Sequence, residues 1–221
     1  MKFAIIVAMG KEMDLLRQLL DDVVERQLEH WRVYTGRMGD NEVVAMQCGI
    51  GKVNAAIGAW TIIHQFAPDC VINTGVAGGV GTSVMDVVVG QRVAYHDVWC
   101  GPESVLGAVQ GLPLYYEADE SLLSRITRGP KVKFGLICSG DSFIDRPEQV
   151  DTIKAHFPEV LAVDMESGAI AQVCHIAGVP FLSVRVISDS PGAVADNTAQ
   201  YEDFWAEAPQ QTFHVIRDLL R

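Results

Sequence analysis

Cys70-Val71-Ile72-Asn73-Thr74-Gly75-Val76-Ala77-Gly78-Gly79-Val80-Gly81 is the stretch on which the fold turns. Residues 70–74 read as a strand buried on both faces, and the glycines follow at its carboxyl end. A dinucleotide-binding loop in that place would open a helix whose N-terminus meets the pyrophosphate. Here the glycines lead into residues 84–95, a β-branched run that reads as another strand. The G-x-G-x-x-G spacing is absent, and so is any G-x-x-x-x-G-K-S/T loop, which argues against NAD and ATP. What remains is backbone passing close to a ligand or to another segment of the chain.

On the amino side, residues 1–8 are a short apolar run fit for a central strand. Met13, Leu15, Leu16, Leu19, Leu20, Val23 and Val24 then recur at helical spacing, which predicts one amphipathic helix. Residues 31–38 and 42–48 read as strands around Gly39-Asp40-Asn41, a hairpin signal. Residues 53–66 read as a helix stopped by Pro68. On the carboxyl side, residues 97–118 are irregular, 132–139 and 161–163 read as strands, and 147–156 and 166–177 as helices. A strand at 181–187 and a final helix from about Tyr201 complete the chain. Strands alternate with helices and no Pro/Ser/Gly linker interrupts them. The expectation is a single α/β domain over residues 1–221 with a mixed sheet covered by helices.

Composition narrows the function. Of 221 residues 49% are hydrophobic, enough for a full core and too many for a disordered chain. Seventeen basic against 28 acidic side chains leave a net charge of −11, which repels nucleic-acid phosphate and anionic membrane alike. The five cysteines are odd in number and form no C-x-x-C pair, which fits a reduced compartment. The apolar run at the start ends by Met9 and is followed by Gly10-Lys11-Glu12, too short for a signal peptide or a membrane span. A cytoplasmic protein is expected. The six histidines lack metal-ligand spacing, so no metal site is expected.

Three apolar strands each run out into a carboxylate: Glu12 after the first, Glu166 after 161–163, and Asp189 after 181–187. Each has an ordinary structural explanation. Glu12 suits the dipole of the helix it opens, Glu166 is a helix-start carboxylate beside Asp164, which suits a cap, and Ser188-Asp189 suits a turn before Ser190-Pro191-Gly192. Strand ends gathered on one sheet edge would bring all three acids together, which three unrelated roles do not explain. Arg185 lies inside a β-branched run and needs a carboxylate partner if buried. Phe143-Ile144 follows Ser139-Gly140-Asp141-Ser142 beyond another strand, where a ring can close the core or stack on a flat base.

Together these segments resemble the 5′-methylthioadenosine/S-adenosylhomocysteine nucleosidase family of the purine nucleoside phosphorylase superfamily. The resemblance is carried by Ile5-Ile6-Val7-Ala8-Met9 leading to Glu12, by Cys48-Gly49-Ile50-Gly51-Lys52-Val53-Asn54-Ala55-Ala56 and by Ile72-Asn73-Thr74-Gly75-Val76-Ala77-Gly78-Gly79. Tyr95-His96-Asp97, Ser139-Gly140-Asp141-Ser142-Phe143-Ile144, Val163-Asp164-Met165-Glu166-Ser167 and Val184-Arg185-Val186-Ile187-Ser188-Asp189 follow in order. It implies a three-layer α/β/α, nucleoside phosphorylase-like fold with a mixed central sheet, a homodimer, and cofactor-free hydrolysis of the bond between adenine and a 5′-thioribose. It implies that Glu12 activates water and that Asp189, with Ser188 beside it, protonates adenine N7. Met165 and Glu166 would bind the ribose, Phe143 would stack on the base and Ile144 would offer it backbone contacts. Gly78 would lie near the base, Met9 and Ile50 near the sugar and its 5′ side, and Arg185 would orient Glu12 and the water. Val76 and Asp164 depart from the family pattern, as do Gly10-Lys11 and residues 98–116, which in the family help wall the 5′ pocket.

The alternatives are a phosphate-dependent nucleoside phosphorylase, a hydrolase of a futalosine-type nucleoside or AMP, and a silent nucleoside-binding protein. A carboxylate at Glu12, where a phosphorylase would hold phosphate, favours water as the nucleophile.

Overall fold

The computed structural model describes residues 1–192, 197–207 and 214–220. Strand β1 (Lys2–Val7) leads into helix α1 (Gly10–Arg17), followed by β2 (Asp21–Leu28), β3 (Trp31–Met38), β4 (Asn41–Gln47) and α2 (Lys52–Phe66). Next come β5 (Cys70–Gly79), β6 (Val87–Tyr95), β7 (Tyr116–Glu117), the short α3 (Glu120–Leu123), β8 (Val132–Ser139) and α4 (Pro147–His156). The chain continues through β9 (Val160–Asp164), α5 (Ser167–Ala177), β10 (Phe181–Asp189), α6 (Asn197–Glu207) and α7 (His214–Leu219). The final helix expected from about Tyr201 is thus found as α6 and α7, and residues 208–213 lie outside the described residues.

The strands form one mixed sheet in the order β10-β6-β8-β9-β5-β1-β4-β3-β2, with β7 beside β6 and a further pairing of β10 with β5. That last pairing closes β10, β6, β8, β9 and β5 into a ring, and β1 to β4 extend from it as an open wing. β1 explains the layering. Phe3, Ile5 and Val7 point into one apolar cluster with Met13 and Leu16 of α1, Phe204 of α6 and Ile216 of α7. Ala4 and Ile6 point into another, with Ala55, Ala59 and Ile62 of α2 and Ile170 and Cys174 of α5. Both faces of the strand are covered, so an unbroken apolar run is what the position requires. The result is the expected three-layer α/β/α arrangement.

Two expectations are corrected. The first helix does not reach Val23 and Val24; it ends at Arg17, and these valines lie in β2, exposed by 40% and 51%. Leu20 turns into the core, and the β-branched pair then joins an edge strand laid against β3, with a register shift between Asp21 and Val24. The strand read at 70–74 is also longer than expected, because β5 continues through Gly79. A Cβ at Gly79 would come within 2.6 Å of Thr82 Oγ1 and 2.7 Å of Ile187 Cγ2, and one at Gly78 within 2.6 Å of Pro191 Cγ. These glycines permit β9, β10 and the following turn to close against β5.

Candidate active site

A cleft opens where β1, β5 and β10, all parallel, reach their carboxyl ends. β9 runs antiparallel to β5, which it pairs at Gly78 and Gly79, so it reaches the cleft from the opposite direction. Glu166 therefore meets the other acids because β5 is long enough to accept a second neighbour beyond β1, and not through a shared strand direction. Of the residues singled out in the sequence, Met9, Glu12, Ile50, Gly78, Phe143, Ile144, Met165, Glu166, Ser188 and Asp189 all line the cleft. Arg185 does not; it lies beneath the floor, 1% exposed.

Glu12 stands at the third position of α1. Its Oε2 accepts from the backbone N–H of Ala8 and of Met9, both at 2.9 Å, and its Oε1 from Val76 N–H at 3.0 Å. The bond to Met9 is a helix-start role, so the ordinary reading and the chemical one describe the same carboxylate. Burial pushes its pKa up, against the opposing pull of Arg185 and the three N–H donors. Gly75 leaves the space they occupy: a Cβ there would strike Glu12 Oε1 and sit 2.8 Å from Arg185 Nη1.

Arg185 is the buried cation of the site. Its Nε donates to Asp164 Oδ2 at 2.7 Å, and its Nη2 lies 2.5 Å from the same oxygen and 3.8 Å from Glu166 Oε2. Nη2 also donates to Asn73 Oδ1 and to Ser167 Oγ. Among the described residues its hydrogen bonds thus go to Asp164, Asn73 and Ser167, and Glu12 feels it as a nearby charge. Asp164 also accepts from Ser167 N–H at the start of α5, the capping role expected of it. Glu166 accepts from Gly51 N–H at 3.0 Å. Burial first, then Asp164, raises its pKa to about 7, while Arg185 and Gly51 oppose the rise.

Asp189 is 2% exposed and, among the described residues, meets no such cation. Its Oδ1 accepts from Ser188 Oγ at 2.5 Å and its Oδ2 from Asn197 Nδ2 at 2.9 Å. Burial raises its pKa, and these two donors hold the rise back. Phe143 is 47% exposed beside the cleft, a ring face open to a planar ligand. Sequence reasoning missed Tyr201, which lines the cleft from α6, stands edge-on to Phe143 at 6.0 Å and donates its hydroxyl to Met9 Sδ at 3.3 Å. It missed Asn197 as well. Neither lies in a motif; the one available signal for Tyr201 was an aromatic set apart from Phe204 and Trp205 on the same helix. Among the described residues no group of three or more His, Cys, Asp or Glu is arranged to hold a metal ion.

The family model described as the phosphorylase superfamily matches residues 2–221. The chain is 43% identical over 232 residues to the 5′-methylthioadenosine/S-adenosylhomocysteine nucleosidase of Desulfotalea psychrophila, covering 99% of this chain and 98% of that protein. It is 41% identical over 231 residues to the protein of the same name from Actinobacillus succinogenes, covering 100% and 98%. Among solved structures, the nucleosidase of S. pneumoniae with the transition-state inhibitor MT-ImmA superposes with a TM-score of 0.93 at 36% identity, over 100% of this chain and 98% of that one.

Proposed function

The chain belongs to the 5′-methylthioadenosine/S-adenosylhomocysteine nucleosidases of the phosphorylase superfamily, and from that membership we propose how its cleft divides the reaction among its residues. The enzyme hydrolyses the N-glycosidic bond of 5′-methylthioadenosine and S-adenosylhomocysteine, releasing adenine and the 5′-thioribose.

Adenine leaves poorly until N7 is protonated, and the sugar left behind carries developing positive charge. Asp189 is the acid: a carboxyl buried without a cation can keep a proton that a solvated one would lose. Glu12 is the base, and takes the proton of the attacking water. Glu166 accepts the ribose 2′- and 3′-hydroxyls, which requires it ionised, and Arg185 supplies the charge that favours this form. Arg185 and Asp164 also keep the floor electrically balanced beneath Glu12. Phe143 stacks on the purine, Ile144 meets its edge through the backbone, and Gly78 lets the base lie close to β5. Met165, Met9 and Ile50 pack against the sugar and its 5′ side, and Ser188 aims Asp189.

The observation that carries this reading is Glu12 itself. Three backbone N–H groups that would form an anion cradle are already filled by its carboxylate. A phosphate at that spot would meet negative charge and find these three donors taken, which favours water as the nucleophile. Adenine release from 5′-methylthioadenosine in phosphate-free buffer, with phosphate addition giving no sugar 1-phosphate, tests it.

Residues 1–221 are taken as one nucleoside phosphorylase-like domain, supported by the single sheet. The partner on the surface is a second copy of the chain. Val53, Ile57 and Trp60 on α2 are 69%, 47% and 50% exposed, and Trp99 and Val105 of the irregular segment are 63% and 62% exposed. An apolar surface of that kind calls for cover. Sedimentation of the enzyme should give a dimer, and Trp60→Glu should shift it toward monomer. A cytoplasmic location accords with five free thiols, and among the described residues no helix is long and apolar enough to cross a membrane.

A further inference from the structure

Asn197 opens α6, eight residues beyond Asp189, and does not line the cleft. It is 5% exposed. Its Nδ2 donates to Asp189 Oδ2 at 2.9 Å, while its Oδ1 is buried with no hydrogen-bond partner among the described residues. Its donor end is therefore the end committed to the acid. The opposite amide orientation would set oxygen against oxygen. Alongside it, Ser190 N–H donates to Gln200 Oε1 at 2.7 Å, which ties the same helix to the turn after β10.

We propose that Asn197 is a positioning residue for Asp189, holding the Oδ2 edge of the carboxyl so that its remaining lone pairs face the purine. The proposal rests on the reading of Asp189 as the general acid. A carboxylate has about four lone-pair sites. Ser188 occupies one on Oδ1 and Asn197 one on Oδ2, which fixes the plane of the group from both sides and leaves one site on each oxygen. Asn197 also sets acid strength. The other titratable groups lining the cleft among the described residues are Tyr201 on α6, Glu12 on α1, Asp164 at the end of β9 and Glu166 ahead of α5, and none of them is a cation. Only the two neutral donors therefore favour the ionised form against burial. An acid that must surrender a proton to a weakly basic N7 works best when its pKa is not driven too high.

The test compares Asn197→Leu and Asn197→Asp with the parent enzyme on 5′-methylthioadenosine and on a 4-nitrophenyl riboside, whose leaving group needs no proton. Losing a hydrogen bond to a charged group should lower kcat on 5′-methylthioadenosine by about 10- to 100-fold. On the nitrophenyl riboside the change should stay within about threefold. Removing a donor to the carboxylate raises its pKa, so the alkaline limb of the kcat profile should move up by about one pH unit. Asn197→Asp, which keeps the shape and adds a like charge, should move it further. Asn197→Asp also serves if the leucine variant does not fold. Equal losses on both substrates with an unmoved limb, or wild-type behaviour, would overturn the proposal. Asp189→Asn is run beside them. If it discriminates between the substrates and the Asn197 variants do not, Asn197 alone is wrong; if it does not discriminate, the assignment of the acid fails and this proposal with it.

Discussion

The sugar wall and the base wall of the cleft are both built on buried carboxyls, but they are balanced in opposite ways. On the sugar wall Glu12, Asp164 and Glu166 surround one buried cation, Arg185, and backbone N–H groups take much of the remaining charge. On the base wall the partners of Asp189 among the described residues are a serine hydroxyl and an asparagine amide. Burial raises the pKa of Glu12, Glu166 and Asp189 alike; on the sugar wall the Arg185 cation pulls back toward the ionised form, whereas on the base wall, among the described residues, only neutral donors do. The first environment makes acceptors, for a water proton and for hydroxyls. The second makes a donor. One residue type thus supplies both halves of an acid–base reaction because the surroundings differ.

The largest expected effect falls on the sugar wall. Glu12→Gln keeps shape and nucleoside binding but cannot take the proton of water, so kcat should fall by about 10²–10⁴-fold with KM little changed. Steady-state kinetics would read this, and near-normal turnover would break the assignment of the walls. Next is Glu166→Gln, expected to lower kcat/KM by about 10- to 100-fold through weakened ribose contacts. A double-mutant cycle against the 2′- and 3′-deoxy substrates should show coupling; independent losses would leave Glu166 as a helix-start carboxylate alone.

Glu166 also sharpens the contrast through stability. Its pKa is raised from the usual carboxylate range to about 7 in the folded protein. The stabilising contribution of its protonated form is therefore complete below the unfolded pKa and is lost as pH rises through about 7. Thermal unfolding at pH 5 and pH 8 should show Glu166→Gln gaining on the parent at the higher pH, by about 2–4 °C for each kcal/mol relieved. The smallest expected effect is Tyr201→Phe, which removes the hydroxyl and its contacts to Met9 and Trp205; kcat/KM should change by less than about threefold.

Much of this was legible in the chain. β1, the β3–β4 hairpin and α2 follow from local signals: an apolar run, a turn between alternating strands, and a helix ended before Pro68. The three carboxylates and Phe143 were legible as strand-end residues, and the requirement that Arg185 have an acidic partner followed from the cost of burying it. What was not legible depends on distant neighbours. Val23 and Val24 have helical spacing from Leu16, and only pairing with β3 makes them strand. The strand from Cys70 reads only to Thr74 because nothing local says that β9, β10 and Glu12 press upon Gly75 to Gly79. That Arg185 pairs chiefly with Asp164, and that α6 brings Tyr201 to the cleft and Asn197 against Asp189, are facts of tertiary contact without a local signature.

The division between the walls is tested most directly by crossing two variants with two leaving groups. The rates of Glu12→Gln and Asp189→Asn are measured on 5′-methylthioadenosine and on a 4-nitrophenyl riboside. Glu12→Gln should slow both substrates alike, because both need the water activated. Asp189→Asn should slow 5′-methylthioadenosine by about 10²-fold or more and leave the nitrophenyl riboside within about threefold, because only adenine needs the proton. Equal losses for Asp189→Asn on the two substrates would contradict the account.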